Sequence, residues 1–99
     1  MAKDPVKADS KHYKVEFEND KVRVLRIKYG PHEKSVMHDH PNAVAVFLAD
    51  AKAKFTYPDG KTEDFSMKDG QALWFPAVTH LPENKLDKPI HLIFIELKK

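Results

Sequence analysis

Apolar and polar residues alternate along much of this chain with a period of two, the signature of strands that have one covered face. AKAKFTY, 51 to 57, is the clearest case: Ala51, Ala53 and Phe55 share one side, while Lys52 and Lys54 share the other. VEFEN and TEDFSM repeat the pattern in shorter form, and KVRVLRIKY, 21 to 29, is a longer strand rich in β-branched residues. NAVAVFLAD, 42 to 50, is apolar on both parities, which predicts cover on both sides or a run through a tight interior. HLIFIEL, 91 to 97, reads as the last strand. Asp59-Gly60 and Asp69-Gly70 mark turns, and Pro76 ends the strand that carries Trp74 and Phe75. LPENKLDKP, 81 to 89, is polar, holds two prolines and reads as a loop. No segment of useful length shows helical periodicity. Eight or nine strands in so short a chain predict an all-β sandwich or closed barrel.

The opening stretch, MAKDPVKADSKHYK, is polar and carries Pro5. Residues 1–14 are expected to be a flexible or partner-docking arm, and 15–99 a single β domain. A length of 99 residues fits one domain near the small end of what holds a core without staples. The absence of cysteine excludes disulfides and thiolate sites. The opening stretch has no apolar signal core and no window approaches the roughly 18 apolar residues of a membrane span, so a cytoplasmic setting with no membrane partner is expected. Lys and Arg number 17 against 15 Asp and Glu, a net charge of +2, with the signs interspersed and no basic block beyond Lys98-Lys99. That distribution argues against a nucleic-acid partner.

The chemistry-bearing residues are the histidines. His38 and His40 stand two apart, just before an apolar run. On an extended strand they point the same way and Asp39 points away. Such a pair can occupy two corners of a metal's coordination sphere, since imidazole suits iron, nickel, copper and zinc. It can equally fill a polar pocket or decorate a turn. His80 follows Trp74, Phe75 and Pro76, which give it an apolar shoulder, and it completes a candidate face of three nitrogens. Three adjacent imidazoles in an apolar interior each carry a desolvation cost, and burial and like charge keep them neutral. That cost favours a ligand. Asn84, four residues on, is a candidate to contact the pocket or to fix the loop.

Gly70, Pro76, His80 and Asn84, with His38-x-His40 upstream, resemble the two motifs of a small single-domain cupin. The likeness runs from residue 30 to 84 and extends through the final strand to about 97. It implies a cupin-like double-stranded β-helix, a jelly-roll barrel. It also implies a homodimer, with the first strand adding to a partner's sheet. The sequence departs from the motif where the family's glutamate ligand falls, at Val44 or Ala45, and where its second-motif glycine falls, at Val78. What is left resembles the three-histidine sites of some cupin dioxygenases, or a degenerate cupin that has kept only a pocket.

The resemblance therefore implies one divalent transition metal (Fe, Ni, Mn, Zn or Cu) on His38, His40 and His80. The activity implied is Fe(II)-type dioxygenation of a small anionic or chelating organic substrate. The alternatives are a non-enzymatic or metal-free module that binds a small acid or sugar, and a small-molecule isomerase or lyase. Around the ligands, Asn84, Glu83, Arg23, Arg26 and Trp74 are candidates to line or support the pocket. An arginine reaching inward would suit a carboxylate substrate. His32, in the Gly30-Pro31-His32 turn, becomes a fourth ligand only if that turn folds inward. His91 reads as a plain strand residue and His12 as a solvated one.

Overall fold

The computed structural model describes residues 3–98. They form β1 (Tyr13–Glu18), β2 (Val22–Tyr29), β3 (His38–His40), β4 (Ala43–Phe47), β5 (Ala51–Thr56), β6 (Thr62–Met67), β7 (Ala72–Phe75), β8 (Val78–Asn84) and β9 (Ile90–Leu97). A single helical turn, α1 (Pro5–Ala8), precedes them, with Pro5 at its first position and the Asp4 side chain accepting from the Val6 N–H.

Every strand pairing is antiparallel, and the strands fall into two sheets ordered β1-β2-β9-β4-β7 and β3-β8-β5-β6. Alternation builds the core between them. Leu25, Ile27 and Tyr29, with Ala45, Phe47, Leu92 and Phe94, face Ala51, Ala53 and Phe55 of the second sheet. Gly60 and Gly70 both adopt φ +87°, the left-handed backbone that the two Asp-Gly turns require. Of the expected sandwich or closed barrel, the strands form two facing sheets whose ladders do not join.

Two other expectations change. Residues 81 to 84 are not loop but the second half of β8. Pro82 is tolerated there because its carbonyl accepts from the Ser35 N–H. A strand residue's N–H and C=O point to the same side, so the proline nitrogen faces residues 35–37, which lie outside any strand. In β4 the outer residues Val44 and Val46 are only half-buried, so the strand is covered on one side and not on both.

The segment before β1 lies against the sheets. The Asp39 N–H donates to the Lys3 carbonyl at 2.9 Å, which occupies the free edge of β3. Pro5 is buried. His12 is buried rather than solvated. Its ring stacks on Tyr29 with centroids 4.3 Å apart, and its nitrogens lie 2.7 Å from Asp9 and 2.9 Å from Glu33.

Candidate metal centre

The register of β3 against β8 brings the three histidines together. His38 and His80 are direct cross-strand partners, and His40 lies two residues along β3 on the same face. All three are buried, and one ring nitrogen from each lies within 4.8 Å of the others. The rings stand nearly perpendicular to one another, with centroids 4.7 to 5.3 Å apart.

The hydrogen bonds behind the rings decide which nitrogens are free. The Nδ1 of His38 is 2.8 Å from the Val36 carbonyl, which can only accept, so Nδ1 carries the proton and Nε2 keeps a lone pair. The Tyr13 hydroxyl donates to that Nε2 at 3.2 Å, and Tyr29 lies 2.5 Å behind Tyr13. The Nδ1 of His40 is 2.9 Å from Oε2 of Glu96, an acceptor in its ionised form, which again frees Nε2. His80 differs: both its ring nitrogens are buried without a protein partner.

Burial, helped by the neighbouring His40, lowers the pKa of His38 to about 4. Burial again, with His40 and His38 adding like charge, lowers that of His80 to about 2. Both rings are therefore neutral near pH 7 and offer lone pairs. The Tyr13 phenol is pushed well above its usual value by burial and by Tyr29, so it keeps its proton.

These residues fit a divalent metal. A buried imidazole with two unpaired nitrogens is costly unless a ligand takes a lone pair, and the donor set is the one that transition metals prefer. His40 and His80 also line a cavity of about 60 Å³, walled chiefly by aromatic rings including Phe55, Phe65, Phe75 and Phe94. That volume has room for a few waters or a small ligand.

The other candidates are scattered. The positions expected for the motif glutamate hold Val44, on the outer face opposite Trp74, and Ala45, buried in the core. Trp74 is 52% exposed and faces outward, because the ladder turns Phe75 into the cavity instead. Arg26 is on the outer face, donating to Glu16 and to the His91 ring. Arg23 reaches inward but is engaged with Glu96 and Asp4 rather than with the cavity. His32 is exposed at φ 59° and pairs with Asp87, away from the cluster. Glu83 and Asn84 both reach the cavity wall. The amide of Asn84 is nevertheless spent on the carbonyls of Gly30 and Lys88, and its oxygen on the Leu86 N–H, so it clips the loop.

Glu96, Tyr13 and Ser35, whose hydroxyl lies 3.3 Å from His38 Nδ1, were missed from sequence. A signal existed for Glu96. It shares a parity with Ile90, Leu92 and Phe94, so alternation puts a carboxylate on the core face.

The fold is cupin-like, and it carries a buried three-histidine cluster able to hold a divalent metal. Its structure is similar to that of a cupin domain from Bordetella pertussis, with a TM-score of 0.81 at 22% identity over 88% of this chain and 92% of that one. A protein from Klebsiella pneumoniae with a double-stranded β-helix domain gives 0.64 at 16% identity, over 88% of this chain and 83% of that one. A cupin superfamily protein from Desulfitobacterium hafniense gives 0.63 at 12%, over 88% and 76%. No family model matches the sequence. The search of curated proteins likewise gives no match. No helix among the described residues is long and apolar enough to cross a membrane.

Proposed function

We propose that His38, His40 and His80 bind one divalent metal, and that the protein uses it for oxygenase chemistry on a small anionic, chelating organic substrate. The observation that carries this is His80, buried with neither ring nitrogen paired. A metal held by three neutral imidazoles supplies open coordination positions and an undiminished positive charge, which favours an enolate, a thiolate or a hydroxy acid. The protein's own groups then bind and orient. The small cavity, lined chiefly by aromatic rings, favours a small substrate. Tyr13 holds a proton beside His38 Nε2. With that nitrogen committed to a metal, the hydroxyl would be free to donate to an anionic oxygen of the substrate.

The test is anaerobic loading of the purified chain with Fe(II), Zn(II), Ni(II), Mn(II) or Cu(II), followed by metal analysis, alongside His80→Ala. About one equivalent is expected in the parent and none in the variant, with circular dichroism to show that the variant is folded. Oxygen uptake is then measured on the Fe(II) form with diketones, thiols and hydroxy acids. Equal metal retention by both proteins ends the reading of the cluster as the site. A loaded protein inert to all three substrate classes ends the oxygenase part.

We further infer that two copies pair through the outer face of the five-stranded sheet. Register places Phe17, Val24, Ile95, Val44 and Trp74 in one apolar row across all five strands. Both ends of that row are open, Phe17 at 55% and Trp74 at 52% exposure. Charges of both signs border it at Glu16, Arg26 and Lys28, which suits a self-complementary contact.

A further inference from the structure

We propose that Glu96 is the positioning residue of the metal centre, fixing His40 in the one tautomer that can ligate, and that it is itself fixed by Arg23 and Asp4. This rests on the reading of the three-histidine cluster as a metal site.

A chain of alternating charge runs from the surface to the cluster. Asp4 takes both terminal nitrogens of Arg23 at 2.8 and 2.9 Å. The Nε of Arg23 donates to Oε1 of Glu96 at 2.8 Å. The other oxygen of Glu96 accepts from His40 Nδ1 at 2.9 Å. The side chains of Glu96 and His40 are both almost fully buried. Backbone register imposes the meeting, since Arg23 and Glu96 are direct partners between β2 and β9.

The two oxygens of Glu96 have different tasks. One is held by a guanidinium that can only donate, so the carboxylate stays in place. The second is left to accept from His40 Nδ1. His40 therefore carries its proton on Nδ1, which leaves Nε2 as its free lone-pair donor in the three-histidine cluster. A carboxylate behind a ligating imidazole both orients the ring and raises its basicity. The sequence lacks a glutamate at Val44 or Ala45 to touch the metal. Glu96 returns a negative charge to the site one imidazole further out.

Glu96→Gln separates this role from packing, because it keeps the shape. A glutamine oxygen can accept from Arg23 or from His40, but the amide nitrogen then faces the other. If the amide nitrogen faces His40, it drives the ring to the Nε2–H form, which cannot bind metal through that atom. Long-range ¹H–¹⁵N correlation spectra of the metal-free parent are expected to show His40 protonated at Nδ1. In Glu96→Gln that resonance pattern is expected to shift toward Nε2–H. Zn(II) affinity, measured by competition with a chromophoric chelator, is expected to fall about 10- to 100-fold. A parent protein with His40 in the Nε2–H form overturns the proposal without any variant. So does a parent that binds zinc while Glu96→Gln binds it equally well. A parent that binds no metal yet shows the Nδ1–H tautomer overturns the metal reading instead, and leaves Glu96 as a structural partner only.

Discussion

Burial makes His38 and His80 poor bases, and this sets an acid limit on the metal-free protein. Their folded pKa values are lowered to about 4 and about 2, from 6.5 in an exposed ring. Between pH 6.5 and 4 the unfolded chain therefore takes up protons at both rings that the folded chain refuses. Stability falls as pH falls, by at most about 1.4 kcal/mol per pH unit for each ring. Asp4 and Glu33 act in a different window. Their pKa values are lowered by Arg23 and by Lys11 respectively, so their contribution is complete above the ordinary carboxylate value and is lost only as pH drops below it. The window from about pH 5 to 6.5 thus belongs to histidine. Urea unfolding of the metal-free protein across it should give a falling midpoint, and His80→Gln should remove about half of the slope. A midpoint that stays flat over that range contradicts the buried neutral state of these rings.

At the level of elements, β3 shows what the sequence disclosed and what it withheld. Alternation alone put His38 and His40 on one face, and the expected chain of short strands held almost throughout. The pairing that sets His80 opposite His38 is a tertiary register, and no local pattern specifies it. The same limit hid the direction of Trp74 and Phe75. Both are apolar neighbours in one strand, and only the partner β4 decides which faces inward. Pro82 misled the reading of β8 because the missing N–H of a proline matters only where a ladder needs it. The N-terminal segment withheld most. Its polar composition predicts exposure, yet its backbone completes the edge of a strand only three residues long. Lys3 supplies a carbonyl to Asp39, and Asp4 both caps α1 and anchors Arg23. Asp4→Ala should therefore cost about 1 kcal/mol, as a lost cap and a half-exposed ion pair together imply. The Asp39 amide should also exchange faster with solvent. Unchanged exchange at Asp39 would mean that β3 holds its edge without this segment.

Over the whole molecule, the two faces of the five-stranded sheet have different fates. The inner face is closed against the second sheet and the histidines. The outer face carries an apolar row from one edge strand to the other, where an isolated domain would be expected to alternate to polar residues. Ile95 and Val44 at its centre are half-buried by their neighbours alone, so the open ends at Phe17 and Trp74 carry most of what a partner would cover. A second copy related by a two-fold axis would set one Trp74 near the partner's β1, and would repeat that contact on the other side. Both ends lie on the side of the sheet away from the cluster, so disrupting them leaves the histidines in place. Sedimentation velocity at tens of micromolar should give twice the 11.4 kDa of one chain. The double variant Phe17→Lys with Trp74→Lys should sediment as a monomer, with an unchanged circular dichroism spectrum and unchanged zinc affinity. A parent that sediments as a monomer removes the pairing. A dimer that survives both substitutions moves the interface elsewhere, with the free edge of β1 as the next surface to test.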